Sequence, residues 1–154
     1  MGKDYLKEIE NIASELLVLM GTKASAVAEE DKENDAIVVN ISSKEEAGLL
    51  IGHRGETLNS LELILGIIFR QKAGEWKRII VNVGDWREKQ NSYLRDLART
   101  AADRVKQTGE PQILYNLSAG ERRIIHLALS GDPGVETGSQ GEGEERFLVI
   151  KPKK

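Results

Sequence analysis

The chain of 154 residues is long enough for one ordinary domain or two small ones, and no stretch approaches the about 20 consecutive apolar residues that a membrane-spanning helix needs. The net charge of −3 argues at first against a nucleic-acid binder, but residues 49–109 carry 11 basic and 7 acidic side chains, whereas residues 1–48 carry 5 and 11. This local excess of positive charge favours phosphate binding, although ordinary surface charge would also explain it. The chain has no cysteine, which excludes disulfide bonds and thiolate metal sites.

The first half of the chain shows hydrophobic periodicities that predict six elements in the order helix, strand, strand, helix, helix, strand. These elements are a helix over 3–20, a weak strand over 23–29, a strand around 37–41, a short helix ending at Ile51, a helix over 56–71 and a strand around 79–83. Residues 43–46 have capping-box spacing, which predicts the start of the short helix. In the helix over 56–71, the predicted apolar face is widened by Ile64 and Ile67. The pattern predicts an α+β unit over residues 1–84.

The second half, residues 85–154, predicts a small α/β unit that follows with almost no linker. Its predicted elements are a long helix with its apolar stripe on Trp86, Gln90, Tyr93, Leu97, Ala101 and Val105, a short strand at 113–115, a helix over 119–129 and a strand over 146–151. Residues 118–121 again have capping-box spacing, which predicts the start of the second helix. The glycine-rich segment 131–143 is predicted to be mobile. Trp76 and Trp86 stand at the ends of elements, and both are predicted to pack in the core rather than to serve as stacking platforms.

Gly52, His53, Arg54 and Gly55 form the most informative stretch, since a helix is predicted on each side of it. Two glycines at this spacing allow a sharp turn between helices and leave the backbone open to a phosphate. His53 and Arg54 would stand at the tip as a hydrogen-bond donor and a fixed cation. The spacing alone is weak evidence, because it recurs at 131–134 and 138–141, but only here does a helix pattern follow. A KH domain clamps single-stranded nucleic acid with a helix, a basic glycine turn and a second helix, in this order.

Arg122, Arg123 and His126 form the second candidate site. Arg122 and His126 are four residues apart and share one face of the predicted helix, and Arg123 lies on the adjacent flank. Two guanidinium groups and an imidazole near a helix start make a compact cluster of donors for phosphates or base edges. The alternative is that Arg122 pairs with Glu121 or Asp132 and that His126 is a half-buried helix residue.

Together these two motifs resemble the C-terminal part of the bacterial Jag family, also called KhpB, in which a KH domain precedes a small domain with an Arg-x-x-x-His motif. Residues 50–58 are similar to the family's KH loop, residues 121–126 match the second motif, and residues 135–150 resemble the closing segment. The resemblance covers about residues 3–152 and implies a type II KH domain followed by a small α/β domain. The extra N-terminal Jag domain that family members often carry has no counterpart in this sequence, and the proline usual before the Glu-Arg-Arg run is absent.

The resemblance implies binding of single-stranded RNA, without strong sequence preference, in the cytoplasm of a bacterium. It also suggests a small KH-domain protein as a partner. Aromatic residues make up only 5% of the chain, so base stacking on exposed rings is not expected to be the main source of affinity.

An enzyme is not expected, since no Walker A, Gly-x-Ser-x-Gly or His-Glu-x-x-His pattern is present. With only two histidines we expect no metal site and no cofactor. A magnesium-dependent nuclease that uses carboxylates stays open as an alternative. The second serious hypothesis is a protein-interaction module with little RNA affinity of its own, since KH folds can dimerise through apolar helix faces.

Overall fold

The computed structural model describes residues 2–154, with side chains described from Asp4 onwards, and has an α+β fold. The chain divides into two compact units, of which the first ends at Arg87 and the second runs from Glu88 to Lys154. The sequence pattern placed the division a few residues earlier, between residues 84 and 85.

The first unit consists of a three-stranded sheet covered by helices, and its element order is the one that the hydrophobic pattern predicts. The elements are α1 (Gly2–Leu19), β1 (Ser25–Asp31), β2 (Ala36–Ser42), α2 (Ala47–Ile51), α3 (Glu56–Ala73) and β3 (Arg78–Val83). The strand order is β1-β2-β3, with β1 antiparallel and β3 parallel to the central strand β2. The weakly alternating, alanine-rich segment therefore forms a strand at the edge of the sheet, two residues later than predicted.

The core of this unit lies between the sheet and α1 and α3. The fully buried side chains include Ile9, Leu17, Val39, Val81 and, from α3, Leu58, Leu65 and Phe69. The predicted widening of the α3 face was wrong, because Ile64 and Ile67 are 41% and 49% exposed. A helix buries only the stripe that faces its neighbours, and both isoleucines point away from that stripe.

The predicted capping box before α2 is only half formed. The Glu46 backbone N–H donates to Ser43 Oγ at 2.9 Å, but Glu46 Oε2 accepts from the Lys23 backbone N–H at 2.8 Å instead of closing the box. The helix consequently begins at Ala47 and has five residues. The Glu46 carboxylate therefore ties the start of α2 to the segment before β1.

The second unit is built on α4 (Trp86–Thr108), whose first two residues belong to the first unit. It continues with β4 (Gln112–Leu114), α5 (Ala119–Leu129), β5 (Val135–Gln140) and β6 (Phe147–Pro152), and its antiparallel sheet has the order β4-β6-β5. Leu94, Ala98, Val105, Ile125, Leu148 and Ile150 form the centre of its core. The predicted stripe of α4 is shifted, since Leu94 is buried whereas Tyr93 is exposed.

Two local predictions in the second unit have opposite outcomes. The capping box at Ser118 is confirmed, because Ser118 Oγ accepts from the Glu121 backbone N–H at 3.2 Å and Glu121 Oε2 accepts from the Ser118 backbone N–H at 2.7 Å. The prediction that 131–143 is mobile was wrong, because β5 lies inside this segment and pairs with β6 along its whole length. Glycine and serine have low strand propensity, so the pairing partner decides the structure here.

Candidate nucleic-acid interface

The glycine turn, Gly52–Gly55, joins α2 to α3 through a single turn of 3-10 helix at His53–Gly55. Gly52, Arg54 and Gly55 have φ values of 71°, 55° and 82°, all in the left-handed region that favours glycine. His53 and Arg54 are exposed, whereas Gly55 is buried. The structure therefore places both predicted side chains at the tip of a tight turn.

Both glycines are required by close packing as well as by their backbone angles. A Cβ atom at Gly52 would collide with the Thr57 side chain, and one at Gly55 would lie 2.7 Å from Cη2 of Trp86. The Trp86 indole thus lies directly beneath the turn and is partly buried against the core of the first unit, as the sequence predicted. The other tryptophan prediction was wrong, since Trp76 is 64% exposed.

Arg87, the residue after Trp86, fixes the position of the indole under the glycine turn. Arg87 Nη2 donates to Glu62 Oε1 at 2.7 Å and to the Val81 carbonyl oxygen at 3.0 Å. Glu62 Oε1 also accepts from the Val81 backbone N–H at 2.9 Å, so the ion pair covers the outer edge of β3 at this residue. The start of α4 is thereby fixed against α3 and β3, and the indole is fixed under the glycine turn.

We expect Gly55→Ala to lower the free energy of unfolding of the first unit by about 2 kcal/mol or more, because the left-handed backbone and the contact with Trp86 both oppose a Cβ atom. Denaturant titration followed by tryptophan fluorescence reports this unit, since both tryptophans lie in it.

The matched control is Gly48→Ala in α2. A Cβ atom at Gly48 meets nothing within 4 Å, and its φ is not in the left-handed region. Alanine in a helix is favoured over glycine by roughly 0.5–1 kcal/mol, so this variant should be neutral or more stable. Equal destabilisation by the two variants would contradict the assigned role of Gly55.

In the second unit, the structure brings Arg122, Arg123 and His126 together on one side of α5. Arg122 Nη1 donates to the Leu117 carbonyl oxygen at 2.6 Å, and His126 Nδ1 is hydrogen-bonded to the Thr137 hydroxyl. Arg123 and His126 are exposed, and Arg122 is partly buried. The alternative of a half-buried histidine is therefore incorrect.

The two carboxylates proposed as alternative partners of Arg122 are occupied elsewhere. Glu121 closes the capping box with Ser118, and Asp132 Oδ2 accepts from Lys106 Nζ at 2.9 Å. The hydrogen bond from Lys106, together with one from the Gly134 backbone N–H, holds the pKa of the Asp132 carboxyl below its usual value. Neither acid therefore neutralises the guanidinium group.

The face of α5 that carries Arg122, Arg123 and His126 also lines a cavity. Other elements contribute residues to this cavity that the sequence did not single out. We call this cavity the arginine pocket, and define it by Arg122, Arg123, His126, Thr137, Ser139 and Arg146. Its other lining residues are Ala119, Gly138 and Leu148. Because β5 was not predicted, no local sequence signal connected Thr137, Ser139 or Arg146 to the Arg-x-x-x-His motif.

In the part of the chain that the structure describes, no helix is both long and apolar enough to cross a membrane. Within the same residues, no group of three or more histidine, cysteine, aspartate or glutamate side chains could hold a metal ion.

Comparison with known proteins places the chain in a family. The model of a domain family named for its Arg-x-x-x-His motif, the R-3-H domain, matches residues 92–152. RNA-binding protein KhpB of Bacillus subtilis is 40% identical over 112 residues, which cover 71% of this chain and 54% of the relative. RNA-binding protein KhpB of Clostridium symbiosum is 34% identical over 117 residues, which cover 75% of this chain and 53% of the relative. The chain belongs to the Jag/KhpB family.

Within the Jag/KhpB family, the chain spans about half the length of the curated relatives it matches. A third KhpB, from Streptococcus pneumoniae, is 27% identical over 148 residues, which cover 93% of this chain and 45% of the relative. The match to the domain-family model begins within α4 and ends at the last residue of β6, so it contains every residue of the arginine pocket.

Proposed function

We propose that this Jag/KhpB-family chain binds single-stranded RNA through the glycine turn and through Arg122, Arg123 and His126. The observation that carries the proposal is the exposed pair His53 and Arg54, presented on a turn whose backbone is fixed by two glycines and by Trp86. The relatives named RNA-binding protein KhpB support the same class of ligand.

The chemistry of the glycine turn suits a sugar–phosphate backbone. Arg54 carries a permanent charge and can donate two parallel hydrogen bonds to one phosphate, while His53 offers a further donor. The missing side chains of Gly52 and Gly55 make room for Thr57 and Trp86, which keeps the turn tight and leaves His53 and Arg54 at its tip to contact the phosphate. Such contacts carry little base information, and this agrees with the proposed tolerance for sequence.

We assign the two sites to two domains, a type II KH domain over residues 1–84 and an Arg-x-x-x-His motif domain over residues 85–154. The helix-strand-strand-helix-helix-strand order of the first unit and the position of its turn between α2 and α3 support the first assignment. The confirmed capping box that starts α5 supports the second, since it orients the helix that carries the motif.

The proposal predicts strongly salt-dependent binding. If about three or four phosphates are contacted, the logarithm of the binding constant should fall against the logarithm of salt concentration with a slope of roughly −2 to −3, on the coefficient for single strands. Fluorescence anisotropy with a labelled single-stranded RNA, repeated between low and physiological salt, measures this slope.

A protein-interaction function is the second candidate, and a group of exposed apolar side chains on α3 favours it. Leu63 is 61% exposed and stands beside Ile64 and Ile67 on the solvent side of the helix. The Trp76 ring lies 3.7 Å from the position that a Cβ atom at Gly66 would take, and so extends the apolar surface along the helix. Exposed apolar side chains grouped on one helix often mark a protein partner, for which the family resemblance suggests a small KH-domain protein.

The salt titration separates the two candidates. Binding that weakens with the expected slope supports the RNA function, whereas a flat response between low and physiological salt, or no binding, favours the interaction module. The two functions can also coexist in one protein, since the exposed apolar residues of α3 are distinct from the residues of the glycine turn.

A further inference from the structure

We infer that the face of the second sheet that lies away from its core binds a partner protein, through a segment that carries both cationic and apolar side chains. We call this surface the outer sheet face. Its apolar centre is formed by Ile113, Tyr115, Gly138, Phe147 and Val149. The residues proposed to bind RNA lie elsewhere, so the inference does not rest on the RNA function.

The strand register explains why these residues share a face. Val149 lies opposite Ile113 of β4 and opposite Gly138 of β5. The neighbours of Val149 on β6, Leu148 and Ile150, are buried in the core, and side chains alternate along a strand. Val149 therefore points away from the core, and the residues directly opposite it lie on the same face.

Two aromatic rings extend this face beyond Val149. Phe147 stands two residues before Val149 on β6 and so lies on the same side of the sheet. The ring centroids of Tyr115 and Phe147 are 5.5 Å apart, which places Tyr115 beside it. Tyr115 is 61% exposed and Ile113 is 42% exposed, whereas Phe147 and Val149 are partly exposed. The second sheet therefore presents two aromatic and two aliphatic side chains on one uncovered face.

A gap beside Val149 gives this face a place for a side chain of the partner. A Cβ atom at Gly138 would meet nothing within 4 Å. The nearest side chains of β5 on the same face belong to Glu136 and Gln140, two residues away on either side. The row of side chains is therefore interrupted where β5 passes Val149, and an apolar side chain of a partner can pack there.

The two ends of the outer sheet face differ in charge. At one end, Lys151 Nζ and Glu136 Oε1 are 3.1 Å apart and form an ion pair. At the other end, the turn between β5 and β6 carries the exposed carboxylates of Glu142, Glu144 and Glu145. Within the described part of the chain, none of these three carboxylates forms an ion pair. The face therefore ends in uncompensated negative charge.

This acidic turn adjoins the aromatic side chains. A Cβ atom at Gly141, the first residue of the turn, would lie 3.6 Å from Cδ1 of Phe147. Carboxylates attract a cation by their charge, and an aromatic ring attracts it by its quadrupole. The same carboxylates repel a phosphate backbone. The chemistry of this surface therefore fits lysine or arginine beside apolar side chains, and it disfavours RNA.

The first sheet offers a contrast. Its face away from the core carries Asn40 on the central strand, where the Asn40 amide donates to Glu29 Oε1 at 2.9 Å and accepts from Asn82 Nδ2 at 3.3 Å. Polar side chains of this kind are usual where a sheet faces water. The central strand of the second sheet instead carries Phe147 and Val149, which is the composition of a surface that a partner covers.

The first test titrates the whole chain into a fluorescein-labelled peptide of alternating lysine and valine residues and compares Tyr115→Ala with Tyr93→Ala by anisotropy. Both tyrosines belong to the second unit and are 61% and 60% exposed, but Tyr93 lies on α4. We expect Tyr115→Ala to weaken peptide binding by roughly five- to tenfold, as the loss of a cation–π and apolar contact implies. Tyr93→Ala should have almost no effect. Equal effects of the two folded variants, or no saturable binding of the peptide, would overturn the inference.

The second test removes the negative charge of the turn by changing all three of its glutamates to glutamine. The control makes the same change at three exposed glutamates of the first unit, Glu33, Glu45 and Glu75. The turn variant should lose roughly fivefold or more in peptide affinity, and the control far less, because charges beyond a Debye length of about 8 Å are screened at physiological salt. A peptide with glutamate in place of lysine should not bind, and equal binding of both peptides would contradict the assigned partner chemistry.

Two further measurements distinguish other occupants and do not depend on the stability of a variant. On titration with the lysine–valine peptide, the backbone amide resonances of Gly138 and Val149 should shift, and those of the glycine turn should not. Sedimentation velocity of the unmodified chain tests for a second copy on the same face. Shifts confined to the glycine turn, self-association that Tyr115→Ala abolishes, or a loss of RNA affinity in Tyr115→Ala with unchanged peptide binding would each overturn the inference.

Discussion

Replacing both His53 and Arg54 by aspartate should weaken binding of a short single-stranded RNA by on the order of 100-fold, about 2.7 kcal/mol at room temperature. The change removes the two donors at the tip of the glycine turn and places carboxylates where the phosphate must lie. Both side chains are exposed, so the first unit should remain folded. Aspartate also tolerates the left-handed backbone of position 54 better than most residues do. The affinity is measured by anisotropy and the fold by circular dichroism.

The control has the same change of net charge elsewhere in the first unit. Lys32→Glu combined with Gln71→Glu also lowers the net charge by three when histidine is neutral, at two exposed positions away from the turn. This pair should weaken binding far less, because charges separated by more than a Debye length of about 8 Å are screened at physiological salt. If a folded aspartate variant keeps the original affinity, or if the control loses as much, the glycine turn is not the binding site.

The second large effect is expected from Arg122→Ala combined with His126→Ala, and it should depend on the length of the RNA. A tetranucleotide can fill only the glycine-turn site, whereas a strand that reaches both sites gains affinity because the second contact becomes intramolecular. The double variant should therefore lose roughly ten- to 100-fold in affinity for a long oligonucleotide and almost no affinity for the tetranucleotide. The affinity gained when the second contact becomes intramolecular lies in this range or above it. Anisotropy titrations with both lengths, under the same salt conditions, measure the difference.

The tetranucleotide serves as an internal control for the glycine-turn site. Both substitutions remove a hydrogen bond within the second unit, to the Leu117 carbonyl oxygen and to Thr137, so a loss of stability of about 1 kcal/mol for each is expected. If both lengths lose affinity equally, the residues act through the fold. If neither length loses affinity, the Arg-x-x-x-His cluster is not an RNA contact in this protein.

Local sequence signals were sufficient wherever the cause of a structure is itself local. Ser118 and Glu121 close a hydrogen-bonded box within four residues, so the start of α5, and with it the common face of Arg122 and His126, follows from spacing alone. The two glycines at 52 and 55 likewise specify a turn between helices, since a left-handed backbone is a property of single residues.

Spacing could not decide which residues become exposed where two elements meet. Ile64 and Ile67 continue the apolar pattern of α3, yet they lie outside the stripe that the sheet and α1 cover. Trp76 is a large aromatic residue of the kind that usually packs in a core. It lies in the connection before β3, however, and is exposed. Burial depends on which neighbours an element has, and these neighbours come from distant parts of the chain.

The sequence by itself therefore determined the order of the elements in the first unit, the glycine turn and the helix that carries Arg122, Arg123 and His126. Only the tertiary structure decided that a glycine-rich segment forms β5, that Trp86 supports Gly55, and that Arg146 lines the arginine pocket. The physical reason is the range of the interactions. Helix caps and turns satisfy their hydrogen bonds within a few residues, whereas a strand such as β5 obtains its hydrogen bonds from a partner whose register the local sequence does not encode.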